Sequence, residues 1–239
     1  MRRFFCEDIQ NNTARITGDD AKHIARVLRM HAGETLSLCD GAGMEYDARI
    51  TAVSPDEVLC SIGEPRPSLV ESPCRVTLFQ CLPKAGKFET VVQKCTELGV
   101  FAVAPVFSAR CVVLPERDFE KKRVRYQRVA LEAAKQSRRA LVPQVSRLIP
   151  IGVIDPRAFD LFLVAYEDET TLSLKQALRK KLSPKTTGVL IGPEGGLTAD
   201  EVSRLTENGA QSVSLGRRIL RTETAGMALL AQLFYEVDT

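Results

Sequence analysis

From Arg75 onward the chain switches repeatedly between short β-type runs and amphipathic helical runs, and this alternation constrains the fold more than any other feature of the 239 residues. Residues 75–82 form an apolar strand of the fully buried kind, and 88–98 place Val91, Val92, Cys95 and Leu98 on one helical face before Gly99 stops the helix. Residues 100–107 again read as strand, 118–140 as a long basic helix, 159–166 as strand and 172–182 as helix. A strand over 187–191 leads to Thr198-Ala199-Asp200-Glu201, a capping box that opens another helix. A short strand over 212–215 and an apolar helix over 223–236 complete the series. Strands joined by helical crossovers predict an α/β fold: a mostly parallel sheet with helices on both faces.

Residues 1–70 follow a different rule. Thr35-Leu36-Ser37-Leu38-Cys39 alternates, Asp40-Gly41-Ala42-Gly43 is turn chemistry, and alternation resumes over 46–53, which predicts a hairpin. A third strand is expected over 58–62. Gly63-Glu64-Pro65-Arg66-Pro67-Ser68 then reads as a linker, giving domains at 1–70 and 71–239. Within the first domain, 19–30 predicts a helix with Ala21, Ile24, Val27 and Leu28 facing a core. Lys22, Arg26 and Arg29 fall on another face of it, beside His23.

The net charge of +3 is unevenly placed. Residues 1–70 carry eight basic and eleven acidic side chains, whereas 110–147 carry eleven basic and four acidic. Concentrated arginine is the footprint of a polyanion binder, because fixed cations displace counterions from phosphates. A solvated helix face accounts for the same run of charge, as it does for the Lys22 stripe.

Other chemistries are restricted by what the chain has to offer. Its seven cysteines include no C-x-x-C pair and lie in the first half, which argues for buried thiols rather than a disulfide scaffold or a zinc site. With only His23 and His31, a multi-histidine metal site is excluded, and no metal is expected. No G-x-S-x-G elbow accompanies either histidine. No apolar run approaches the roughly 18 residues of a membrane span, and the N-terminal residues turn acidic at Glu7 and Asp8 before a signal-peptide core can form. A cytoplasmic location with no membrane partner is expected.

Two glycine-bearing segments directly follow predicted strands: Ile191-Gly192-Pro193-Glu194-Gly195-Gly196, and Leu215-Gly216-Arg217-Arg218-Ile219-Leu220-Arg221-Thr222-Glu223-Thr224-Ala225. In open α/β sheets ligands bind outside the carboxyl ends of the strands, so both loops can line one pocket. Neither is a dinucleotide fingerprint or a Walker loop, and two tight strand-to-helix turns would look the same.

Together these segments resemble the C-terminal signature of the ribosomal RNA small subunit methyltransferase E family, of the SPOUT class. Further matches are His23 with Val27-Leu28-Arg29, Lys94-Cys95-Thr96-Glu97-Leu98-Gly99-Val100, and the stretch from Ala133 to Arg139. The resemblance implies a PUA-like N-terminal β-barrel that binds RNA, a trefoil-knotted methyltransferase domain and a homodimer. It also implies S-adenosyl-L-methionine as cofactor, with N3 of one uridine in 16S rRNA of the small ribosomal subunit as target. Carried over position by position, the cofactor site is Leu163, Gly192, Pro193, Glu194, Gly195, Leu215, Gly216, Ile219, Leu220 and Thr224. RNA contacts fall to Arg2, Arg3, Lys22, His23, Arg26, Arg29, Arg138 and Arg139. The chain departs from the family pattern at Phe88, usually tryptophan, at Lys135, usually acidic, and at Arg138, usually glycine. Periodicity alone would not suggest a knot, since threaded chains are rare.

Methylating an imide nitrogen requires stabilising the anion that forms on deprotonation, and a guanidinium aimed at its oxygens does this. Arg221 is the first candidate, with an ion pair to Glu223 as its structural alternative; Glu194 and Glu223 are the choices for a base. Competing readings are a related enzyme acting on another RNA such as tRNA, and an RNA-binding protein that kept the fold without activity. A nucleotide hydrolase would need a phosphate-loop lysine that is absent.

Overall fold

A computed structural model describes residues 2–84, 86–112, 119–180 and 184–238. Arg117 and Asp118, which the sequence reading places in the basic run and at a helix start, lie outside these residues, as do positions 181–182 of a predicted helix. The chain divides into two compact units, one of Met1–Glu71 with Ala134–Val142, the other of Ser72–Ala133 with Pro143–Thr239.

The first unit is built on β1 (Arg3–Phe5), β2 (Asp8–Gln10), β3 (Thr13–Thr17), β4 (Thr35–Cys39), β5 (Met44–Val53), β6 (Glu57–Ile62) and β7 (Arg66–Pro67). Its strand order is β1-β4-β5-β6-β3-β2, with β7 on β5; the pairing is antiparallel except for β1 with β4. Alternation does what the sequence pattern requires: Ala14 and Ile16 of β3, Ala48 and Ile50 of β5, and Val58 and Cys60 of β6 all point into one core. The expected barrel therefore takes the form of a curved sheet with β1 and β2 at its two ends, the chain passing between them at Cys6 and Glu7.

Two expectations for this unit fail for identifiable reasons. The predicted helix over 19–30 is α1 (Gly18–Lys22) followed by one wide π turn (His23–Val27). There Leu28 N–H donates to the His23 carbonyl at 2.9 Å and Met30 N–H to that of Ile24 at 3.1 Å. The extra residue per turn rotates Val27 out to 67% exposure and brings Met30 into the core instead. The stretch expected as a linker is fixed in place: β7 pairs with β5, Gly63 N–H donates to the Asp47 carbonyl, and Ser68 Oγ bonds the Glu45 carboxylate.

The second unit contains β8 (Arg75–Cys81), β9 (Ala102–Phe107), β10 (Gln144–Val145), β11 (Ile149–Pro150), β12 (Leu161–Ala165), β13 (Thr186–Ile191) and β14 (Gln211–Val213). Every ladder is parallel, in the order β10-β9-β8-β13-β12-β14, with β11 also on β9. The helices are α2 (Lys87–Glu97), α3 (Phe119–Gln136), α4 (Leu174–Lys180), α5 (Ala199–Glu207) and α6 (Thr222–Val237). Alternation assigns the faces: Phe79, Phe162, Val164 and Leu190 pack with Val202 and Leu205 of α5, while Leu78 and Ile191 on the opposite face approach Gly226 of α6. Burial on both faces explains why these strands read as continuous apolar runs. Gly188 is required by that packing, since a Cβ there would lie 2.3 Å from the Phe162 ring.

The basic helix α3 stops at Gln136, short of the expected Ala140, because Arg138 turns left-handed at φ +60°. That backbone state favours glycine, the residue the family pattern carries there. Phe88 stacks against Tyr126 at 4.9 Å, and Lys135 pairs with Asp20 at 3.1 Å, so the other two departures are accommodated locally.

Candidate functional site

At the carboxyl ends of β12, β13 and β14 the chain leaves a cleft of about 600 Å³. One wall is the turn after β13, Gly192 to Gly196, and the other is the segment from Ser214 to Arg221 that leads into α6. Ala165, Tyr166 and Glu167 at the end of β12 lie between them, because β12 separates β13 from β14 in the sheet.

The glycine turn is clamped from several sides. Thr222 Oγ1 donates to the Gly192 carbonyl at 2.6 Å and accepts from the Gln80 amide at 2.9 Å. Arg110 donates to the carbonyls of Gly195 at 3.0 Å and Leu197 at 3.3 Å. The Glu194 carboxylate accepts from Lys84 N–H at 2.9 Å. Thr198 and Glu201 complete the predicted capping box behind the turn, and Glu201 also accepts from Ala109 N–H. Gly196 sits at φ +70°, and a Cβ there would lie 2.0 Å from the Glu167 carboxylate. A turn held this firmly presents its remaining backbone groups to a ligand without having to reorganise.

Most of the residues expected to hold a cofactor are brought together: Gly192, Pro193, Glu194, Gly195, Leu215, Gly216, Ile219 and Leu220 all line the cleft. Leu163 and Thr224 do not. Leu163 is fully buried two residues short of the strand end, so Ala165 takes the place expected of it. Thr224 is exposed on α6, outside the lining.

Arg221 lines the cleft, is exposed, and occupies the N-cap position of α6. The alternative ion pair with Glu223 does not form; Glu223 Oε1 instead lies 2.9 Å from Lys87 Nζ. Burial raises the Glu223 pKa, but the Lys87 hydrogen bond and charge, its own backbone N–H and the Arg221 charge outweigh that, so the carboxyl lies below its ordinary value. Lys87, Glu167, Gln80 and Arg110 were not legible as site residues, since each acts through a partner distant in sequence.

The residues expected to contact RNA divide into two groups. Arg2, Lys22, His23, Arg26, Arg29 and Arg138 are exposed, and Lys22 faces Asp19 at 3.6 Å. Arg3 and Arg139 are occupied inside the first unit. Arg3 binds Glu45 at 2.9 Å and the Arg138 carbonyl. Arg139 is only 4% exposed and grips Glu71 at 2.6 Å, while Glu71 also accepts from the N–H groups of Ala140 and Leu141. A guanidinium enclosed in this way is a structural cation, not a phosphate ligand.

A parallel α/β sheet with a glycine-walled cleft at its carboxyl edge is the architecture of a small-molecule-binding domain, and residues 70–234 match the family described as RNA methyltransferase domain. Residues 16–63 match the RNA methyltransferase PUA domain. The chain belongs to the ribosomal RNA small subunit methyltransferase E family. It is 39% identical to the protein of that name from Bacillus subtilis (strain 168), over 100% of this chain and 98% of the relative. It is 30% identical to that from Aquifex aeolicus (strain VF5), over 98% and 99%. The crystal structure of a ribosomal RNA small subunit methyltransferase E from Neisseria gonorrhoeae, bound to S-adenosyl methionine, matches with a TM-score of 0.81 at 30% identity, covering 98% of this chain and 97% of that one.

Proposed function

We propose that this protein methylates N3 of a uridine in 16S rRNA, using S-adenosylmethionine as donor. The observation that carries this reading is one cleft that combines a clamped glycine turn with an arginine at its rim, Arg221, that has no ion-pair partner among the described residues. The residues suit the donor: a volume of about 600 Å³ lies within the range of nucleotide-sized pockets, and the crowded Gly192, where a Cβ would meet Leu197 at 3.1 Å, leaves the backbone open to close approach. Gly192, Glu194, Gly195, Leu215, Gly216 and Leu220 would hold it through backbone groups, with Ile191 and Ala225 as apolar contacts. When bound, the donor supplies a methyl group on a positive sulfonium.

The remaining chemistry belongs to the protein. Uridine N3 offers a lone pair only after losing its proton, and the resulting charge spreads over O2 and O4. Arg221 supplies the positive charge that makes this ionisation easier, and positioning the base in line with the methyl group lowers the barrier further. Glu194 accepts from Lys84 N–H and Glu223 is paired with Lys87, and we take solvent as the proton acceptor.

We assign RNA binding to the domain at 1–70 through Arg2, Lys22, His23, Arg26 and Arg29, with Arg138 from the segment that joins that unit. We assign catalysis to 71–239, as a knotted, homodimeric domain. A cytoplasmic location follows from the RNA substrate, and no helix among the described residues is long and apolar enough to cross a membrane. Mass mapping of 16S rRNA from cells lacking the gene, with and without the purified protein added back, tests the reading. A missing N3-methyluridine restored by the protein is the expected result, and an unchanged 16S rRNA with a methyl group missing from tRNA would overturn it.

A further inference from the structure

Lys87 shares the cleft with Arg221, and its ion pair leaves part of its ammonium group unused. It is the first residue of α2, and its Nζ is 2.9 Å from Oε1 of Glu223, two residues beyond Arg221 in the first turn of α6. Glu223 Oε2 is buried with no hydrogen-bond partner among the described residues. An ammonium has three N–H donors, and Nζ has no second partner among the described residues, so one donor fixes its direction and two remain for a ligand.

The sheet order decides which part of the cleft this cation serves. Lys87 follows β8, which borders β13 on the side away from β12 and β14, whereas Leu215 and Gly216 follow β14 at the far edge. Helices α2 and α6 pack on each other, and this brings Lys87 to the start of α6 where Arg221 stands. The cleft thus has a glycine-walled part suited to the donor, where Arg217 and Arg218 follow Gly216, and at the start of α6 a second pair of cations, Lys87 with Arg221, suited to a developing anion.

We propose that Lys87 is a second catalytic cation, donating to a carbonyl oxygen of the target base as N3 ionises, and that Glu223 is the positioning residue that aims it. This inference rests on the uridine-N3 reading. In the step, the N3 proton passes to solvent and the N3 lone pair forms the new bond to the methyl carbon. The carbon–sulfur bond breaks with its electron pair left on sulfur. The anion and the sulfonium are consumed together, and Lys87 keeps its proton throughout.

The test compares the wild type with Lys87→Met, Lys87→Arg and Glu223→Gln, each shown by thermal melt to be folded, on an RNA that the wild type methylates. Lys87→Met should lower single-turnover methylation about 100-fold at neutral pH, the scale for losing one preorganised donor. Its S-adenosylmethionine affinity should stay within about twofold, and the acid limb of its rate profile should move up by about one pH unit. Lys87→Arg should recover part of the rate, and Glu223→Gln should lie between wild type and Lys87→Met with the same direction of shift. A readout independent of turnover is the ionisation of the N3-labelled target uridine, followed by nitrogen NMR in the complex with the demethylated donor; its pKa should rise in Lys87→Met. A fall in donor affinity matching the fall in rate would overturn the proposal and place Lys87 on the donor's carboxylate. A slower rate with an unmoved acid limb would reduce Lys87 to a structural role. If the wild type forms no N3-methyluridine, the reading of the reaction fails first, and that outcome is visible before any variant is made.

Discussion

The Thr222 hydroxyl donates to the Gly192 carbonyl at 2.6 Å while accepting from Gln80, so a buried side chain on β8 sets the shape of a turn after β13 through the first residue of α6. Replacing Thr222 with Val keeps the volume but leaves the Gly192 carbonyl without this donor. A loss of about 1–3 kcal/mol in stability is expected from an unsatisfied buried group. Calorimetric titration should also show weaker S-adenosylmethionine binding, because the turn that faces the donor is released.

Arg221→Ala should act on rate rather than on donor binding. Its side chain is exposed at the cleft rim, and the ion pair that would have made it structural is formed by Lys87 instead. Single-turnover methylation should fall about 100-fold or more. Donor affinity measured in parallel should hold, and an equal loss in both would move Arg221 to the cofactor site.

Two kinds of arginine in the first unit should separate cleanly. Arg139→Ala leaves the half-buried Glu71 with only the Ala140 and Leu141 N–H donors, which should cost about 1–3 kcal/mol of stability, and the folded fraction should keep its RNA salt dependence. Arg26→Ala with Arg29→Ala should leave the melting temperature unchanged. It should weaken RNA binding and lower the slope of log affinity against log salt by about 1.5, the value for two lost phosphate contacts.

Arg138→Gly should produce opposite signs in two measurements. Relief of the left-handed backbone at φ +60° should stabilise the protein by about 1 kcal/mol, read as a higher melting temperature. Loss of an exposed cation should weaken RNA binding in a filter assay.

Acid sensitivity should be traceable to Glu169. Its carboxylate accepts from the Thr171 hydroxyl and N–H and from Leu172 N–H, which lowers its pKa from the ordinary 4.5 to about 2. A depressed folded value means the stabilisation is fully present above about pH 4.5 and is lost as pH falls towards 2. Glu169→Gln should therefore be less stable than wild type at neutral pH and should show a flatter loss of stability below pH 4.5, followed by denaturant titration across pH.

The strand–helix alternation after Arg75 was readable because fully buried parallel strands are apolar throughout and their connecting helices carry one apolar face. The two glycine loops were readable because their residue types and positions after strands are local facts. What escaped was set by contacts across the chain. Arg3 and Arg139 carry the right charge for RNA, and only Glu45 and Glu71, distant in sequence, show that they are occupied. Lys87 resembles any helix-start lysine until Glu223 is placed beside it. Val27 departs from the helical pattern because the 3.6-residue period does not hold through a π turn, and β1 and β2, at three residues each, are too short to show any period.

Because β14 lies at one end of the sheet order and α6 follows it, the far wall of the cleft hangs, among the described residues, on a three-residue ladder with β12. Opening of so short a ladder would carry away together the Thr222 brace on the glycine turn and the Arg221 cation at the rim, so the firmness of the whole cleft is tied to one edge strand.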